Sequence, residues 1–108
     1  ETLRARTHAL LAENHARFRE AAPRLAPLRS ARSPSGTTAW CAFAADGLGD
    51  RFSEHALARH DLALAPGRVF GDSRGVRVAL GGEPARFAAA LSALERAVAD
   101  FAAARVPA

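Results

Sequence analysis

The feature that most constrains this chain is an apolar stripe near its end. Phe87, Leu91, Leu94, Val98 and Phe101 recur at i, i+4, i+7, i+11 and i+14, which is one face of an α-helix. A stripe of that width must be covered, so the rest of the chain has to supply a flat apolar surface for it. Pro84 can occupy the first helical turn, and the helix should close near Arg105, before Pro107. The covering surface is legible just upstream. Val76, Val78 and Leu80 alternate with Arg77 and Ala79, the period of a strand with one buried face.

The remaining segments read in the same way. Leu3, Leu10, Leu11 and Phe18, with Thr7 and Asn14 between them, suit an amphipathic helix of about five turns that stops before Pro23. Arg24 to Arg32 contains Pro27 and reads as a short irregular strand, and Ser33-Pro34-Ser35-Gly36 supplies the chemistry of a reversal. Thr37 to Ala44 has strand composition, with Trp40 on one face and Cys41 and Phe43 on the other. Asp46-Gly47-Leu48-Gly49-Asp50 breaks that strand, and Asp50 is placed to cap a helix through Phe52, Ala56, Leu57 and His60. Leu62 and Leu64 alternate with alanines up to Pro66-Gly67 and predict another short strand. The order helix, strand, strand, helix, strand, strand, helix predicts an α+β fold, an α/β sandwich in which helices cover a small mixed or mainly antiparallel sheet.

Composition narrows the function classes. The 108 residues suffice for one domain, 1–108, and the net charge is +4. Every basic residue is arginine and there is no lysine, so the chain has no amine of its own for a Schiff base. The arginines Arg4, Arg17, Arg51, Arg59, Arg86 and Arg96 are dispersed among Glu13, Glu20, Glu54 and Glu95, which is a solvated helical surface and not a nucleic-acid patch. No apolar run approaches the roughly 18 residues of a membrane span. The lone Cys41 excludes an internal disulfide and makes a reducing, cytoplasmic setting the expectation. The chain begins at Glu1 and contains no methionine; it is expected to be part of a longer protein.

Few residues offer chemistry. His8, His15, His55 and His60 include no i, i+4 pair, so no helical metal site is expected. Cys41 reads as a small buried apolar residue. Gly71-Asp72-Ser73-Arg74-Gly75 lacks the spacing of a dinucleotide loop and reads as a turn. Arg77, flanked by two β-branched residues on a strand, is either an ordinary solvent-facing arginine or a well-mounted guanidinium for a bidentate carboxylate contact.

Three segments taken together bear on these alternatives: Gly36-Thr37-Thr38-Ala39-Trp40, Leu62-Ala63-Leu64-Ala65-Pro66-Gly67-Arg68-Val69-Phe70-Gly71, and Gly75-Val76-Arg77-Val78-Ala79-Leu80-Gly81. In that order they resemble the carboxy-terminal small domain of fold-type I pyridoxal-phosphate enzymes, in particular class I/II aminotransferases, over essentially the whole chain. The resemblance implies that Arg77 grips the α-carboxylate of an amino-acid or 2-oxo-acid substrate, with Arg74 as the alternative bearer of that role. Phe70 would then pack beside the substrate entrance, or serve as a core aromatic. It further implies pyridoxal 5′-phosphate, held by a lysine, an acidic partner for the pyridine nitrogen and phosphate-binding residues of a large domain outside this chain, and a homodimeric parent. No catalytic, cofactor-binding or metal-ligating residue is expected in residues 1–108, and neither nucleic acid nor membrane is expected as a partner. Carbon–sulfur lyases and cyclising enzymes share such a domain, and a free-standing α+β module that binds a carboxylate or regulates a partner is the rival from another class.

Overall fold

The structure, a computed structural model, describes residues 2–30 and 36–105. Helix α1 spans Leu3–Ala21 and starts where the Thr2 hydroxyl accepts a hydrogen bond from the Ala5 amide, an N-cap that satisfies one of the first turn's free donors. A 3-10 helix, Ala22–Leu25, carries Pro23 in its first turn and leads to strand β1, Arg29–Ser30. Strand β2 is Thr38–Ala42, helix α2 Leu48–His60, strand β3 Ala65–Pro66, strand β4 Gly75–Ala79 and helix α3 Pro84–Arg105. A second 3-10 helix, Gly67–Phe70, joins β3 to β4.

The sheet is antiparallel at every pairing among the described residues, in the order β1-β2-β4-β3. Its centre is β2 against β4, with Ala39 opposite Val78, Trp40 opposite Arg77 and Cys41 opposite Val76. Alternation therefore sends Ala39, Cys41, Val76 and Val78 into the core, where they meet Phe18, Phe52, Phe87, Leu91, Leu94, Val98 and Phe101 from the three helices. The whole α3 stripe is buried as its spacing predicts. Phe43, Phe52 and Phe101 form a mutually contacting aromatic knot with centroids 5.3–5.5 Å apart, a spacing at which tilted and edge-to-face rings attract. No described helix is long and apolar enough to cross a membrane.

Several expectations are corrected. The antiparallel sheet is one of the two forms the sequence allowed; the corrections concern its surroundings. Asp50 is not the cap of α2. The helix starts at Leu48 behind Gly47, whose φ of +81° suits glycine. The Gly47 amide donates to Ser73 Oγ at 2.9 Å and the Gly49 amide to the Ser73 carbonyl at 3.0 Å, so the loop after the second 3-10 helix holds the helix start. Asp50 lies in the first turn, where Oδ1 accepts from the Arg68 amide at 3.0 Å. Leu62 and Leu64 are not in a strand; they pack on the core as irregular chain after Asp61 turns left-handed at φ 52°. The ladder is confined to Ala65–Pro66, because Pro66 has no amide to extend it. Arg24 and Leu25 are helical, so among the described residues only Arg29 and Ser30 realise the irregular strand, while residues 31–32 and the reversal at Ser33–Ser35 lie outside the described residues. Leu3, placed on the apolar face of α1, is 80% exposed, and the other residues of the helix's first two turns are exposed as well.

One buried polar residue ties the layers together. Asn14 of α1 is fully buried, and its Nδ2 donates to the carbonyls of Leu80 at 2.8 Å and Gly82 at 3.0 Å. Those carbonyls sit just past the end of β4, where the ladder no longer supplies partners, so a side-chain amide takes over. Asn14→Ala should lower unfolding free energy by about 2 kcal/mol. Asn14→Asp should lower it further at neutral pH by facing a carboxylate with two carbonyl oxygens. Urea denaturation of the three proteins checks both the sign and the order.

Candidate functional site: an arginine on the open face of the sheet

The register that buries Val76 and Val78 turns Arg77 to the opposite, uncovered face. There it is held between Trp40 on β2 and Ala65 on β3, its direct cross-strand partners. The guanidinium carbon stands 3.8 Å from the centroid of the Phe70 ring, a cation–π contact, and Phe70 meets Trp40 edge-on at 6.3 Å and 87°. Phe70 remains 42% exposed. It is a platform under the cation and not a core aromatic. Trp40 can lie down on the sheet because residue 75 is glycine: a Cβ there would collide with the indole and with the Cys41 carbonyl.

Among the described residues, the arginine ion pairs are Arg17 with Glu13, Arg24 with Glu20 and Glu95, and Arg74 with Asp72. Arg77 is in none of them. Its planar fork is exposed, braced from one side, and has donors to spare for a carboxylate. Arg74 differs in this respect. Its Nε and Nη2 engage both oxygens of Asp72 at 2.9 and 2.7 Å, and that contact holds the Asp72 carboxyl down at about 2. The fork of Arg74 is thus occupied within its own loop.

A groove between α1 and α3 is lined by Arg17, Glu20, Arg24 and Glu95, charges that largely neutralise each other. Hydrogen bonding to Arg24 holds the Glu20 carboxyl below its ordinary range. None of Arg77, Phe70 and Trp40 lines this groove. Cys41 is fully buried on the core face of β2, and burial pushes its thiol up to about 12, so it has no thiolate to offer at neutral pH.

The structure also assembles a group that spacing rules miss. His55 and His60, five residues apart and therefore not stacked on one helical face, both reach Asp100 of α3. The partner that unites them comes from 40 residues downstream, a distance no local motif spans.

No protein-family model matches the chain, and no curated protein matches it. Among solved structures, the fold is similar to a PLP-dependent aminotransferase from Streptococcus suis 89-1591, with a TM-score of 0.79 and 23% identity over 90% of this chain. The match takes up 26% of that chain, so the present chain spans about a quarter of the aminotransferase. The likeness establishes an α+β fold of the kind found in part of that enzyme.

Two outcomes follow from these environments. Iodoacetamide at pH 8 should leave Cys41 unlabelled in the native protein and alkylate it once urea unfolds the chain. The Asp72 carboxyl should titrate near 2 by carbon-13 NMR, and Arg74→Gln should return it toward about 4. Because the folded value is depressed, the stabilisation from this pair is fully present above about pH 4 and is lost as pH falls toward 2.

Proposed function

We propose that this chain is the carboxy-terminal small domain of a pyridoxal-phosphate-dependent aminotransferase. In this reading Arg77 binds the α-carboxylate of the amino-acid and 2-oxo-acid substrates, and Phe70 and Trp40 form the wall beside it. The observation that carries it is the state of Arg77: fixed mid-strand, braced on Phe70, and outside every ion pair among the described residues. The likeness in fold to a quarter of a PLP-dependent aminotransferase supports the same reading.

The residues of this chain do not themselves suit the cofactor. There is no lysine to bond it covalently, and the exposed aromatic platform carries one cation and no acid for a pyridine nitrogen. In this reading the cofactor is held by a large domain of the same protein. This chain contributes orientation. A guanidinium that receives both carboxylate oxygens leaves the bound substrate little rotational freedom about Cα, and such positioning is worth several kcal/mol of barrier. The rigid strand mount and the ring under the guanidinium mean that this orientation is largely set before substrate arrives. A homodimer in the cytoplasm completes the proposal, the latter in keeping with a free buried thiol in Cys41.

The test uses the intact protein. A visible absorption band bleached by borohydride and shifted by amino acids is expected, and a colourless protein that still binds carboxylates would mean a non-catalytic module instead. Arg77→Lys should lower kcat/KM for amino acids about 10- to 100-fold, while Phe70→Ala should lower it only a few-fold. Arg77→Gln should also shrink the preference for an amino acid over the corresponding decarboxylated amine. An unchanged preference would remove Arg77 from the site. Product analysis separates transamination from elimination or cyclisation, which need the same carboxylate contact.

A further inference from the structure

Where α2 ends against α3, three potential metal ligands converge. The Nε2 atom of His60, the last residue of α2, lies 3.1 Å from Asp100 Oδ2, and the Nε2 atom of His55 lies 3.4 Å from the same oxygen. All three donor atoms fall within 4.8 Å of one another. The His55 ring is clamped between Phe52, on which it stacks at 6.5 Å and 25°, and Phe101 at 5.4 Å. That packing fixes where its nitrogen points.

An ordinary ion pair accounts for only part of this arrangement. His60 Nε2 and Asp100 share a hydrogen bond, whereas His55 Nε2 is shut off from solvent and has no hydrogen-bond partner. Its approach to Asp100 lacks the geometry of a bond. A buried nitrogen left without a hydrogen-bond partner, 3.4 Å from a carboxylate oxygen that already has one, calls for an explanation.

We infer that His55, His60 and Asp100 form a binding site for a divalent transition-metal ion of the Zn²⁺ type. Zinc bonds to imidazole nitrogen and carboxylate oxygen at about 2.0–2.2 Å, so neighbouring ligands of a tetrahedral ion lie about 3.4 Å apart. The His55–Asp100 separation matches that edge, and the His60–Asp100 separation is a few tenths of an ångström shorter. Two imidazoles and one carboxylate match an ion of intermediate softness and would not suit Ca²⁺ or Mg²⁺, which take oxygen ligands. The side chains of His55 and His60 are 19% and 15% exposed against 56% for Asp100. The ion therefore enters past the carboxylate and keeps that side for water. The negative end of the α2 dipole lies at His60 and favours a cation there. Bound in this position, the ion clips the end of α2 to α3 on the helical side of the sheet, opposite Arg77. The site is independent of the reading of Arg77.

The full chain, stripped with chelator, is titrated with Zn²⁺ alone by calorimetry and with Co²⁺ by absorption. One equivalent should bind saturably, the Co²⁺ form should show visible d–d bands, and Zn²⁺ should raise Tm. His60→Gln and Asp100→Asn should each weaken binding by more than about 100-fold, beyond the loss typical of changes around a metal's own ligands. They should also abolish the Tm shift while the far-UV circular dichroism stays native. The double variant His8→Ala/His15→Ala, altered on α1, should bind as the parent does. Absence of saturable binding overturns the inference, and so does binding that survives in both His60→Gln and Asp100→Asn.

Discussion

Everything in this fold depends on the register of β2 against β4. Because side chains alternate along a strand, pairing Trp40 with Arg77 and Cys41 with Val76 decides in one step what is buried and what is presented. A slip by one residue would put Arg77 in the core and Val76 and Val78 in water. Apolar burial of those two valines against α2 and α3 thus holds the guanidinium in place on the other side. The stability of the core and the readiness of the surface arginine have a common cause.

Glycines and one asparagine allow this ladder to be packed tightly at both ends. At one end a Cβ on Gly49 would clash with the backbone of Arg74 and Gly75, so the absence of one lets the start of α2 dock on the loop before β4. At the other end Asn14 gathers the carbonyls that the ladder leaves behind. Between them the Phe43–Phe52–Phe101 knot joins β2's continuation, α2 and α3. The same knot immobilises His55, so that the packing of the core extends directly to the histidine and aspartate cluster at its edge.

The arginines show how local pairing sorts residues of one type. Arg17, Arg24 and Arg74 are held by acids near them in sequence or across the α1–α3 groove, and their charge is spent at the surface. Arg77 has aromatic neighbours instead. An aromatic face supports a guanidinium without occupying its in-plane donors, so Arg77 alone of these four keeps its fork open for an anion.

The sequence by itself determined the order of elements, the buried stripe of α3 and the two faces of β2 and β4, with Arg77 on the outer one, because each is a matter of periodicity over a few neighbouring residues; a role for Arg77 came only from the family resemblance. It placed the Asp50 cap and the Leu62–Leu64 strand wrongly, since the Ser73 loop and Pro66 overrode the local preference. Only the tertiary structure decided that Phe70 lies under Arg77, that Asp72 occupies Arg74, and that Asp100 meets His55 and His60. Those contacts join residues brought together by sheet register and helix packing, and the energy that selects them is the burial of a core to which the whole chain contributes.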